Sequence, residues 1–256
     1  MRMRSTLAVA CLAIGSLVGS AASQAATYNL ATDYSNTANP NGVWSYLYDG
    51  NPLTHQASPT ANGNPLIPAI PAGGYFSTGP DLNSNTPDVL KAAVNGSSAG
   101  ETDLDFLAGD IVVHSPNVAS KALSIVWTAP SAGTISNLSL ALWYAHSTVS
   151  RSNDVTFSVA GVNQNTFTTS PTNDFNRNAP GTLTGGIFNV NAGDLVTLSF
   201  LQSAGQSFGS LTGVAESFDF APVVAAATPL PAALPFFAAS LAGLGWFGHR
   251  RRKQAA

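Results

Sequence analysis

The chain has 256 residues, of which 45% are hydrophobic and 9% charged, with 23 Gly, 16 Pro and one Cys. That length fits one domain with attachments and a sizeable core. All 13 acidic residues fall between Asp33 and Asp219, and that span carries a formal −9 against −3 for the whole chain. A body of that sign repels phosphate backbones, which excludes nucleic acid as a partner.

The first element is MRMRSTLAVACLAIGSLVGSAASQAA. Arg2 and Arg4 precede an apolar run from Leu7 to Val18, and small residues follow around Ser23, Gln24 and Ala25. This order predicts a helical secretory signal over residues 1–25, and therefore export. Cys11, the single cysteine, lies inside the apolar run. Its removal with the signal leaves a body without thiols, disulfides or cysteine metal ligands.

From 26 to 224, turn residues recur between short apolar or alternating runs, and no long 3.6-period segment interrupts them. The pattern predicts an all-β body with strands over 43–48, 111–113, 123–127, 138–144, 155–159, 187–190, 195–201 and 217–220. Trp44, Tyr46 and Tyr48 alternate along one face, as either core or a stacking platform for sugar rings. Residues 51–100, rich in Pro, Asn, Gly and Ser, read as long loops with one or two short strands.

In ETDLDF, Glu101, Asp103 and Asp105 share a face if extended. Oxygen ligands suit Ca²⁺, which makes this the candidate structural calcium site, with a solvated acidic edge as the alternative. Trp143 and Tyr144 are adjacent, so an extended chain points them oppositely and leaves one exposed. Val155, Phe157 and Val159 share a face, and the segment around Gly161 reverses the chain toward a return strand. IFNVNAGDLVTLSF repeats that plan, with a turn over 191–194 and with Val196, Leu198 and Phe200 opposing Leu195, Thr197 and Ser199.

Catalytic signatures are sparse. GQSFG places Ser207 in a nucleophile-elbow pattern, but no helix follows, and the only later histidine is His249 near the C-terminus. A Ser/Gly-rich loop is the preferred reading. His55, His114 and His146 have no metal-ligand spacing, and Glu101 and Glu216 are the only glutamates available for paired-carboxylate hydrolysis.

The last element is TPLPAALPFFAASLAGLGWFGHRRRKQAA, in which 17 uncharged residues from Ala232 to Gly248 precede Arg250, Arg251, Arg252 and Lys253. As a helix rising ~1.5 Å per residue, such a run covers ~26 Å of a ~30 Å hydrocarbon core. The cations then stop transfer and stay cytoplasmic. Pro-x-Pro (Pro229, Leu230, Pro231), apolar helix and Arg-rich end, in that order, resemble the PEP-CTERM sorting tail of Gram-negative bacteria. Leu230 stands where many members carry Glu. The resemblance covers about the last 28 residues. It implies recognition by a membrane-embedded exosortase that removes the tail, 225–256, and passes the protein to the cell surface or extracellular matrix.

The body resembles the jelly-roll sandwiches, loosely related to carbohydrate-binding modules, of exported bacterial proteins. NGVWSY, IVWTAPSAGTI, NDVTFSV and FNVNAGDLVTLSF carry that resemblance. The expected fold is therefore an all-β, jelly-roll type β-sandwich over 26–224, with an N-terminal signal helix and a C-terminal transmembrane helix. The expected role is non-catalytic, with exopolysaccharide contact implied by the resemblance. A secreted polysaccharide hydrolase and a purely structural matrix or adhesion protein are the alternatives.

Overall fold

A computed structural model describes residues 24–223, apart from 61–62, 65, 85, 97–103, 147–148 and 173–174. The expected signal helix and the sorting tail, including Pro229 to Pro231 and Arg250 to Lys253, lie outside the described residues. Among the described residues no helix is long and apolar enough to cross a membrane.

The chain begins with β1 (Ala26–Asn29), a one-turn helix α1 (Leu30–Asp33), β2 (Trp44–Tyr48), β3 (Asn51–Pro52) and β4 (Thr54–Gln56). A 3₁₀ turn (Ile67–Ala69), β5 (Tyr75–Ser77), β6 (Asp88–Lys91), β7 (Ile111–His114) and β8 (Leu123–Thr128) follow. Then come β9 (Gly133–Tyr144), β10 (Asn153–Val159), β11 (Val162–Thr169), β12 (Gly181–Thr184), β13 (Phe188–Val190), β14 (Leu195–Gln202) and β15 (Leu211–Pro222).

All strand pairings between these elements are antiparallel. Six strands form a sheet in the order β11-β10-β14-β8-β2-β3. Nine form the larger sheet, β12-β9-β15-β7-β6-β5-β4, with β1 beside β15 and β13 beside β9. The 12-residue strands β9 and β15 hold it together, because each is long enough to serve two short partners on one edge.

The two sheets face each other over one core. Alternation along β10 and β14 turns Val155, Phe157, Val159, Val196, Leu198 and Phe200 inward. They meet Leu140, Leu142, Val214 and Phe218 of the larger sheet in that core. Trp127 crosses to Phe218 edge-on, with ring centroids 5.1 Å apart, a favoured aromatic geometry. The expected all-β architecture of antiparallel sheets is thus observed.

Four local expectations met different outcomes. The turn after Val159 is a tight hairpin, with Ala160 and Gly161 both at positive φ (49° and 78°), as a two-residue turn matching strand twist requires. The turn over 191–194 is not a hairpin: β13 joins the larger sheet and β14 the smaller, so it carries the chain across the core. Alternation reports which face is buried and is silent about the partner strand.

Trp143 and Tyr144 are both buried, against the expectation that one is exposed. The larger sheet is covered on its outer face as well, where Leu66, Ala69, Leu82 and Phe106 from the long connections pack on Tyr75, Leu90, Val112 and Trp143. Residues 51–100 accordingly contain four short strands, β3 to β6, rather than one or two. The low periodicity of β5 and β6 follows from burial on both faces, which removes alternation.

Candidate functional site at the loop end of the sheets

Register brings the chain ends of many strands to one end of the molecule. In the smaller sheet, Tyr48 pairs with Leu123, Leu123 with Phe200, and Asn153 with both Gln202 and Thr169. In the larger sheet, Ser77, Asp88, His114 and Leu211 follow one another across four strands. The connections at this end, including 115–122, 149–152 and 203–210, form a surface of loops held by rigid strands, the usual place for binding.

Beneath it lies a buried polar network that ties the sheets together. Asn153 Nδ2 donates to Ser210 O (2.7 Å) and Thr212 Oγ1 (2.9 Å), while its Oδ1 accepts from Ser115 Oγ (2.5 Å) and Ser210 N (3.1 Å). Ser210 Oγ donates to the Tyr144 hydroxyl at 3.0 Å, which in turn donates to Val149 O. Every member named here has a partner, so the network fixes the loops above it rather than destabilising the core.

Two recesses of about 260 Å³ each open at this end. One is lined by Tyr48, Asp49, Thr54, Ser77, Thr78 and Lys121. Lys121 pairs with Asp49 at 3.2 Å and covers the Tyr48 ring at 5.6 Å. The row of three aromatics is thus core at Trp44 and Tyr46 and surface only at Tyr48.

The other is lined by Arg151 with hydroxyls of Ser150, Ser152 and Thr172 and the amide of Gln206. The Arg151 guanidinium lies 5.0 Å over the Phe208 ring and donates to Gly209 O at 3.2 Å. Phe208 remains 51% exposed. Gly209 has no room for a side chain, since a Cβ would run into Ser115 O, and its N–H is held by Asn117 Oδ1 at 2.9 Å. Arg151 and Phe208 are therefore presented from a fixed backbone.

The titratable groups with the largest shifts lie inside. Asp88 (1% exposed) and Glu216 (4% exposed) each leave a carboxylate oxygen without a hydrogen-bond partner. Burial pushes both carboxyls up to about 8. His114 shares a sheet face with Asp88, directly opposite in register, and its Nδ1–H donates to Ser115 O (2.7 Å). Burial first, then the charges of Arg151 and His146, push its imidazole down to about 4, against the Ser115 carbonyl, which raises it. His114 and His146, 32 positions apart in the chain, are thus close enough in the fold to interact.

Other residues singled out from the sequence are dispersed. Ser207 is exposed in the 203–210 loop, with no helix behind it. His55, on the edge strand β4 of the larger sheet, is bonded to Gly73 O at 2.7 Å. Of the calcium candidates, Glu101 and Asp103 lie outside the described residues. Asp105 accepts from the Arg177 N–H at 2.9 Å, and among the described residues no three metal-ligating side chains converge.

Sequence reasoning missed Asn153 and Gln202, although a signal was present. Both continue the inward parity of Val155 and Val196, so each puts an amide on an apolar face. Arg151 and Phe208 left no signal, because 57 positions separate them and a fold alone joins them.

No protein-family model matches the sequence, and no curated protein matches it significantly. Similar solved structures include the mosquito-larvicidal Cry4Aa toxin of Bacillus thuringiensis, 15% identical over 61% of this chain, TM-score 0.30. The chain spans 23% of the toxin's length. A family 35 carbohydrate binding module from Clostridium thermocellum is 17% identical over 46% of this chain and 84% of its own, TM-score 0.27. The CBM36-1 domain of a multidomain xylanase from the hindgut metagenome of Trinervitermes trinervoides is 13% identical over 47% and 82%, TM-score 0.26.

Proposed function

We propose that the chain is an exported, non-catalytic protein of the cell surface or extracellular matrix, sorted by an exosortase through its C-terminal tail and contacting exopolysaccharide at the loop end. In this reading the two sheets form a jelly-roll type sandwich. The observation that carries the glycan contact is the recess lined by Arg151 and by serine, threonine and glutamine side chains, with the half-exposed Phe208 ring against the same guanidinium, on a rigid base. Polar groups fixed before binding lose little entropy on contact. The strongly shifted carboxyls support a structural rather than catalytic use, because both are sealed from solvent and from any polymer outside.

Sorting rests on Pro229, Leu230, Pro231, the apolar run 232–248 and the cations 250–253. Mass spectrometry of the protein recovered from its native host tests it. A mature C-terminus near Thr228 is expected, and an intact RRRK end would exclude processing. Retention of the full chain on immobilised exopolysaccharide tests the contact, and its absence would remove that part.

A further inference from the structure

The four cations of the acidic span are disposed differently. Arg177 grips Asp110 with two bonds (2.7 and 3.1 Å), Lys121 pairs with Asp49, and Lys91 donates to Ala31 O at 2.7 Å. Arg151 donates one bond, to Gly209 O, and has no carboxylate partner among the described residues. A guanidinium has five donors, so most of its capacity is left over from that one bond, at a residue that lines a recess. Its position is not loose: the Phe208 ring, the Gly209 carbonyl and the buried network below hold it.

We infer that this recess takes a sugar unit bearing a carboxylate, with the acid received by the free N–H groups of Arg151 and the sugar ring laid against Phe208. The inference rests on the glycan reading above and names the class of glycan. A planar fork of donors matches a carboxylate bidentately, which neutral hydroxyls cannot reproduce with the same strength. Phe208, whose ring carries the guanidinium on one face and stays half-exposed, adjoins Arg151 outside the recess lining and offers its uncovered surface to the sugar's C–H groups. Ser150, Ser152, Thr172 and Gln206 supply donors and acceptors for the hydroxyls. At about 260 Å³ the recess lies below the ~300–1,000 Å³ of drug-sized sites, so it holds one unit of a chain.

Among the described residues, Asp154 is the acidic group next to the recess, behind Thr168 of its lining. Its Oδ1 is occupied by the hydroxyls of Thr168 (2.8 Å) and Ser203 (2.9 Å), so it is engaged by neutral donors rather than by Arg151. Charges farther than about 8 Å are largely screened at physiological salt, so the acidity of the body as a whole does not decide contact at Arg151.

The test uses the purified full chain in mild detergent, with polygalacturonate, its fully methyl-esterified form, free galacturonate, galactose and sulfate as probes. Polygalacturonate binding is expected, displaced by galacturonate but not by galactose or sulfate, with the ester bound at least about ten-fold more weakly. Arg151→Gln should lower affinity about ten-fold or more, and Phe208→Ala several-fold, each with an unchanged melting temperature. Equal binding of acid and ester by the wild-type chain would overturn the inference while leaving the glycan reading standing. Binding of no glycan would overturn both. Displacement by sulfate as effective as by galacturonate would make this a general anion site and overturn the sugar assignment. The wild-type comparison of acid with ester decides the matter even if Arg151→Gln fails to fold.

Discussion

Asp88 and Glu216 are carboxyls kept where a charge is costly, and each sits among groups that cannot offset it. Asp88 shares its sheet face with Ser77 and His114, and the hydroxyls of Tyr34 and Tyr75 feel its charge. Glu216 points with Val214 and Phe218 into the core between the sheets. Since folding raises both carboxyls to about 8, the folded state holds protons that the unfolded chain releases near pH 4. Their contribution to stability is fully present below about pH 4 and declines as pH rises toward 8. His114, depressed to about 4, acts oppositely: its contribution is present above about pH 6.5 and is lost as pH falls toward 4. The two trends oppose each other between about pH 4 and 6.5, and only the carboxyl trend remains from there to 8. Asp88→Asn and Glu216→Gln are therefore expected to raise stability at pH 8 by on the order of 2 kcal/mol each and to flatten its fall above pH 6.5. Melting temperatures measured from pH 4 to 9 check this, and an unchanged slope in either variant would contradict that residue's assignment.

At the scale of elements, Asn153 is where β10 meets β15. Its side chain makes four bonds to Ser115, Ser210 and Thr212 across the junction of the sheets. Asn153→Ala removes all four bonds and leaves the Ser115 hydroxyl without its acceptor, while Ser210 and Thr212 keep their bonds to Ser115 and Thr169, so a loss of roughly 1–3 kcal/mol is expected by denaturant titration. Asp154→Asn, one position along on the opposite face of the strand, is expected to cost under about 1 kcal/mol. Comparable losses would show that the network does not tie the sheets. The sequence displayed much of β10 and β14, because one face is core and the other solvent, and alternation survives. It hid β5 and β6, which are buried on both faces, and it concealed that β13 and β14 part company after Val190. Strand pairing depends on contacts distant in the chain, which local periodicity does not encode.

At the scale of the molecule, two cores stabilise one body. The inner core joins both sheets, and the outer one lies under the connections from Leu66 to Phe106, so among the described residues the core runs from Leu30 to Phe220. The described residues contain no cysteine, and stability comes from burial and hydrogen bonding alone. The melting temperature is accordingly expected to be the same with and without a thiol reductant. A drop on reduction would show a covalent link that this fold does not contain.

What the sequence determined by itself is what local chemistry can carry: strands from alternation, a hairpin from Ala160 and Gly161, a thiol-free body, and terminal segments whose apolar runs and cations predict export and sorting. The tertiary structure alone decided which loops meet. Arg151 and Phe208, Asp88 and His114, and Asn153 and Thr212 are neighbours only because antiparallel register aligns strand ends across two sheets. Hydrogen-bond pairing between strands is non-local, so the recess at that end exists in the fold and nowhere in the order of residues.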